Sequence, residues 1–208
     1  NIADDNTPYM SAENTPNLIA AIEKSASSIF KWFADNQLQG NASKCHVLLS
    51  SSEKTVVKVD SAEVENSLSE TLLGVTIDNK LSFEKHINNI CGKAKAKLCA
   101  LSRVAPYMNF RQKKLLMNAF FKSQFSYCPL VWMLHSRKLD NKINRLHERC
   151  LRIIYNDNLS TFDELLHIDN SVSIHHRNLQ CLAIELYKIF NGISTDIMRD
   201  VFPLNSVS

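Results

Sequence analysis

Apolar residues along this chain recur with two different periods, and the change between them divides it. Leu18, Ile22, Ser25/Ala26, Ile29 and Phe33 fall on one side at helical spacing. Thr15-Pro16 supplies an N-cap and a proline at the first helical position, so an amphipathic helix is expected from there to about Asn36. After Gly40 the pattern shortens to two β-prone runs, Cys45 to Leu49 and Thr55 to Val59, which a serine-rich turn at Ser50 to Ser52 would join as a hairpin. A third run, Leu72-Leu73-Gly74-Val75-Thr76-Ile77, reads as a strand ending at the turn-former Asp78-Asn79.

From Ser82 onward the period is helical. Ile87, Ile90, Ala94, Leu98, Leu101 and Ala105 form one apolar stripe that Pro106 breaks. A second helix is expected from near Arg111, burying Leu115, Leu116, Ala119 and Phe120, with Pro129 interrupting the next stretch. Leu139, Ile143, Leu146, Cys150 and Ile153 mark a third helix, whose other side carries Lys142, Arg145, Arg149 and Arg152 at spacings that align them. Thr161-x-x-Glu164 is a capping box opening a short helix. Leu179, Leu182, Leu186 and Phe190 define a last helix, closed by Asn191-Gly192. The expected fold class is α+β, a small mixed piece followed by a helical one.

Charge sharpens this division. Residues 81–155 contain 15 of the 24 Lys and Arg but only 3 of the 21 acids, a net of +12, which leaves the remainder at −9. Such segregation predicts a polyanionic partner for the basic segment. At 208 residues and 45% hydrophobic the chain is long enough to bury a core. No uninterrupted apolar run approaches the roughly 18 residues that span a bilayer. The polar stretch Asn1 to Asp5 is unlike a signal peptide and begins without Met, so an intracellular protein, nuclear or cytoplasmic, starting within a longer sequence is expected. Cys45, Cys91, Cys99, Cys128, Cys150 and Cys181 lack C-x-x-C spacing and read as reduced thiols. A zinc site using Cys45-His46 or His147 with Cys150 is the sharper alternative, although neither pair makes a two-plus-two ligand pattern.

Ala3-Asp4-Asp5 sets two carboxylates before the turn-forming Asn6-Thr7-Pro8. Phosphoryl transfer by two metals about 3.5 to 4 Å apart needs several anionic oxygen ligands, which such a turn can begin to supply. An adjacent acidic pair arises roughly twice by chance in a chain of this composition, so its weight comes from the segments downstream. Ile2-Ala3-Asp4-Asp5 is similar to palm motif C of reverse transcriptases, in which an aromatic residue usually precedes Ala-Asp-Asp. Lys31-Trp32-Phe33, Asn36 and Asn41-Ala42-Ser43-Lys44 resemble the motif D region. Leu72 to Asp78, with Leu81-Ser82-Phe83 and His86, resembles the segment leading from palm to thumb. Further matches are Tyr127-Cys128-Pro129-Leu130-Val131-Trp132, Asn144-Arg145-Leu146-His147-Glu148-Arg149 and Ser173-Ile174-His175-His176-Arg177-Asn178-Leu179. In this order and spacing, they make nearly the whole chain resemble the C-terminal part of a non-LTR retrotransposon reverse transcriptase of the jockey-like and LINE-like kind.

The resemblance implies a partial palm with a primer-grip-like hairpin over 1–80, a basic helical thumb over 81–155 and a helical extension over 156–208. Asp4 would ligate catalytic Mg2+, with Asp5 supporting it. Lys44 would approach the triphosphate of an incoming deoxynucleotide; read alone, it is equally a solvated lysine entering a strand. Gly74 would let the primer 3′ end come close, and its segment also reads simply as a buried strand. Lys93, Lys97, Arg103, Arg111, Lys114, Lys142, Arg145, Arg149 and Arg152 would hold an RNA template and DNA primer duplex through its phosphates. The motif A aspartate and the fingers would precede Asn1, so no polymerase activity is expected from this chain alone. The competing classes are a noncatalytic nucleic-acid-binding module and a purely structural helical protein. Adjacent His175 and His176 diverge by about 100° on a helix and do not suit one metal, and Trp132 reads as core.

Overall fold

In the computed structural model, residues 6–50, 54–195 and 198 are described. Among them the chain is α+β, with seven α-helices and two small sheets, and it divides into two units, Asn1–Leu81 and Ser82–Ser208. No helix among the described residues is long and apolar enough to cross a membrane.

In the first unit, α1 (Thr15–Asp35) starts one residue earlier than its sequence suggests. Asn14, not Thr15, is the N-cap: its side chain accepts from the Asn17 N–H at 2.9 Å, and Pro16 sits where no backbone donor is needed. Leu18, Ile19, Ile22, Ala26 and Phe30 of this helix pack on a core of Ala42, Val47, Leu49, Val57 and Val59. Gly40 returns the chain beneath the helix, and a Cβ there would lie 2.6 Å from the Phe30 ring.

The strands pair differently from the expected hairpin. β1 (Val47–Leu48) and β2 (Val56–Val59) do not pair with each other; both flank β3 (Ala62–Ser67), β1 in parallel and β2 antiparallel. The true hairpin turns at Asp60-Ser61, between paired Val59 and Ala62, where Asp60 takes φ 52°. Asp tolerates this left-handed conformation better than most residues. β3 escapes notice in the sequence because its alternating positions Glu63 and Glu65 face solvent and only Val64 is strongly apolar. At the outer edge of β2, the Lys58 N–H donates to Glu23 Oε1 of α1 at 2.9 Å.

The run read as one strand from Leu72 to Ile77 is also a hairpin. β4 (Ser69–Leu72) pairs antiparallel with β5 (Val75–Asp78), and Leu73-Gly74 is the turn between them. Both turn residues have positive φ, 48° and 82°, the signature of the tight turn that matches strand twist.

The second unit opens with α2 (Glu84–Val104), which buries Ile87, Ile90, Cys91, Ala94, Leu98 and Leu101. A 3₁₀ turn over Ala105–Tyr107 follows. Next comes α3 (Phe110–Leu116), closed at its start by a reciprocal capping box between Asn109 and Gln112. The residues expected inside this helix are not: Leu115 is 67% exposed and Phe120 39%, while Met117, Phe121 and Phe125 are fully buried. Ala119 faces solvent and Leu116 is half-buried. A π-helical turn over Met117–Phe121 follows α3, and the inward positions from there on are Met117, Phe121 and Phe125.

Pro129 begins α4 (Pro129–Trp132) rather than merely interrupting the chain, after Cys128 in a left-handed conformation. Trp132 is wholly buried and donates to the Tyr127 carbonyl at 2.9 Å. α5 (Arg137–Tyr155) packs along α2 and buries Leu139, Ile143, His147, Cys150, Leu151 and Ile154, so His147, Leu151 and Ile154 take the inward positions expected of Leu146 and Ile153. α6 (Phe162–Asp169) carries the expected Thr161–Glu164 capping box. α7 (Ile174–Phe190) turns Ile174, Asn178 and Ile189 inward, whereas Leu179 and Phe190 of the expected stripe are 43% and 56% exposed.

Candidate nucleic-acid interface

The basic character of the second unit comes from an absence of acids as much as from a supply of bases. Between Glu84 and Asp140 the chain has no acidic residue across 55 positions, and those positions hold 11 Lys and Arg. Glu84 opens α2 and Asp140 lies in the first turn of α5, each where a carboxylate favours the helix dipole. The run itself supplies no carboxylate to offset its cations, so any compensation has to come from elsewhere in the fold.

The expected phosphate-binding cations fall into two groups. Lys93 and Arg103 on α2, Arg111 on α3, and Arg145 and Arg149 on α5 are exposed. Lys97 is half-buried, with its ammonium 5.9 Å from the Phe120 ring centre. Lys142 is exposed but tethered, donating to Asn88 Oδ1 of α2 at 2.6 Å, which ties α5 to α2. Lys114 and Arg152 are committed within the protein. Arg152 donates to Glu148 Oε1 at 2.6 and 3.2 Å and to the carbonyls of Asp157 and Ser160 at 3.3 and 2.9 Å. The row of aligned cations on α5 is thus open at Arg145 and Arg149, while Lys142 is tied to α2 and Arg152 staples the following loop.

Lys114 pairs with Asp169, whose side chain has no exposed surface and also accepts from the Tyr155 hydroxyl at 2.9 Å. Lys122 lies 3.9 Å from the other carboxylate oxygen. Burial pushes the Asp169 carboxyl up, but the hydrogen bonds from Lys114 and Tyr155 outweigh it and hold the group below the usual carboxylate range. Burial, then the bond to Asp169, pushes the Tyr155 phenol up to about 12. This cluster joins α3, α5 and α6 and takes Lys114 away from any external anion.

Asp4 and Asp5 lie outside the described residues. Lys44 is exposed at the end of a 3₁₀ turn, Ala42–Lys44, just before β1. Gly74 occupies the hairpin turn, so its lack of a side chain is required by its φ of 82°. Among the described residues no three His, Cys, Asp or Glu side chains gather as a metal-holding group. His175 is half-buried and His176 exposed in the first turn of α7.

Sequence reasoning missed Lys95, Arg137 and Lys138, which are also exposed, and the acid-free run that contains them was the available signal. It also missed the Lys114–Asp169–Tyr155 cluster, because those residues are distant in sequence and nothing local marks them as partners. No protein-family model, no curated protein and no solved structure matches this chain.

Proposed function

We propose that this chain is part of an RNA-directed DNA polymerase of a non-LTR retrotransposon, in which the helical unit serves as a thumb holding the RNA template and DNA primer duplex. The observation that carries this reading is the acid-free basic run, together with exposed Lys93, Arg103, Arg111, Arg145 and Arg149 on the helices it contains and adjoins. Such cations suit phosphates of any sequence. The ordered motifs from Ala3-Asp4-Asp5 to His175-His176 favour a polymerase over some other polyanion binder.

Asp4 and Asp5 would be this chain's contribution to holding Mg2+, which in the intact enzyme activates the primer hydroxyl and stabilises the transferring phosphate. Two adjacent carboxylates are fewer than a two-metal site takes. The deoxynucleotide site and the remaining ligands belong to the parent enzyme. Lys44 is the residue proposed to face the triphosphate, and the Leu73-Gly74 hairpin the primer end.

The test is binding of a labelled RNA–DNA hybrid by residues 1–208, followed by anisotropy across a salt series. Log affinity is expected to fall with log salt at a slope of about −4 to −7, as several released counterions require. No primer extension is expected with Mg2+ and deoxynucleotides. Failure to bind the hybrid even at low salt would sink the thumb reading, and extension by this chain alone would overturn the assignment of the missing ligands.

A further inference from the structure

Tyr107 is the most exposed aromatic ring of the helical unit among the described residues, at 90%. It sits at the corner between α2 and α3, with Val104 40% and Phe110 52% exposed on either side. Arg103 and Arg111, each four residues away, are exposed and have no hydrogen bond or ion pair among the described residues. Four residues of backbone span no more than about 14 Å, so the Cα atoms of both arginines lie within that distance of the Tyr107 Cα.

The corner is built rather than loose. Ala105 is buried, Pro106 fixes the backbone, and the Met108 N–H closes the turn on the Ala105 carbonyl at 3.2 Å. The Asn109–Gln112 capping box anchors the far side. Phe110 is held by the Tyr155 ring, centroids 5.3 Å apart. Tyr107 is therefore presented on a fixed frame, and little ordering is needed when a ligand meets it.

Resting on the thumb reading, we infer that this corner is a capture point for an unpaired nucleotide: Tyr107 stacks on the base while Arg103 and Arg111 take its flanking phosphates. Bases inside a duplex hide their faces against their neighbours, so an aromatic ring on the protein surface can stack only on a single-stranded, splayed or terminal base. The neighbouring duplex cations grip phosphates only. The corner thus adds recognition of the single-stranded stretch beside the duplex, as a template strand has ahead of its primer. A ring beside apolar groups and arginines also suits an anionic membrane. Continuity with the acid-free run favours nucleic acid, as does the pinning of Phe110, which leaves one free ring instead of an inserting cluster.

The experiment compares binding of a blunt RNA–DNA hybrid with the same hybrid carrying a short single-stranded extension, in separate RNA and DNA arms, using residues 1–208. The wild type is expected to prefer an extended hybrid in at least one arm. Tyr107→Ala should remove that preference, weakening extended-hybrid binding about 5- to 100-fold and leaving blunt-hybrid binding unchanged, whereas Tyr107→Trp should retain it. Equal wild-type affinity for blunt and extended hybrids would overturn the proposal while leaving the thumb reading intact. So would a preference that survives Tyr107→Ala, or an equal loss on both ligands. Binding of single strands but not blunt hybrid, lost in Tyr107→Ala, would uphold the corner and sink the thumb. Loss confined to phosphatidylserine vesicles would make the corner a lipid contact and overturn the inference.

Discussion

His147 shows what burial does to one titratable ring. It has no exposed surface, stacks on Phe121 at 5.4 Å and meets Phe162 edge-on at 5.5 Å, between ring centroids. Burial, and then nearby Lys122, push its imidazole down to about 4; Asp169 pulls it up and Arg177 adds to the depression. The folded protein therefore keeps His147 neutral where the unfolded chain, near the ordinary value of 6.5, takes up a proton. Between those two values the unfolded state binds more protons, so stability rises with pH across the window and is lost as pH falls through it. Urea midpoints should show a loss of about 2 to 3 kcal/mol between pH 7 and pH 4.5, most of it absent in His147→Phe. A mutant as steep as the wild type would assign the loss elsewhere, first to His86, which burial and then Lys93 also push down. Asp169 and Asp157 have depressed values and act at lower pH, where their stabilisation disappears as they protonate.

At the scale of elements, the β4–β5 hairpin places a leucine where the backbone favours a different residue. Leu73 adopts φ 48° and is half exposed, a conformation that costs an ordinary side chain about 1 kcal/mol or more. Leu73→Asn would give the Asn-Gly pair that such turns prefer, and should raise stability by about 0.5 to 1 kcal/mol in thermal or urea unfolding. A fall in stability would mean that the Leu73 side chain contributes more by packing than its backbone loses. The same residue explains a limit of the sequence. Leu72-Leu73-Gly74-Val75 reads as one apolar strand because nothing in a Leu-Gly turn announces itself, whereas Thr161–Glu164 is legible since both capping partners lie in one short segment. α2 is likewise legible from its stripe, and the segment after α3 is not, because no residue signals the π-helical turn over Met117–Phe121. Of the candidate interface, the charge segregation was readable; that Lys114 and Arg152 would be engaged internally depended on partners such as Asp169 and the carbonyls after Asn156, which only folding brings close.

Across the whole molecule, charge is distributed so that binding should depend on it in a countable way. Arg145 and Arg149 stand on the outward side of α5, exposed and without partners among the described residues. Replacing both with Ser should leave the melting temperature nearly unchanged and flatten the salt slope for an RNA–DNA hybrid by about two, one per phosphate contact removed. An unchanged slope would move the contacts to other cations of the acid-free run. The sheet of the first unit carries a different consequence. With Glu23 accepting from the Lys58 N–H, the outer edge of β2 has one of its free donors occupied by a helix of its own unit. A neighbouring polypeptide seeking to extend this sheet would have to evict a carboxylate to bond at Lys58, so the edge resists continuous self-templated pairing on that side.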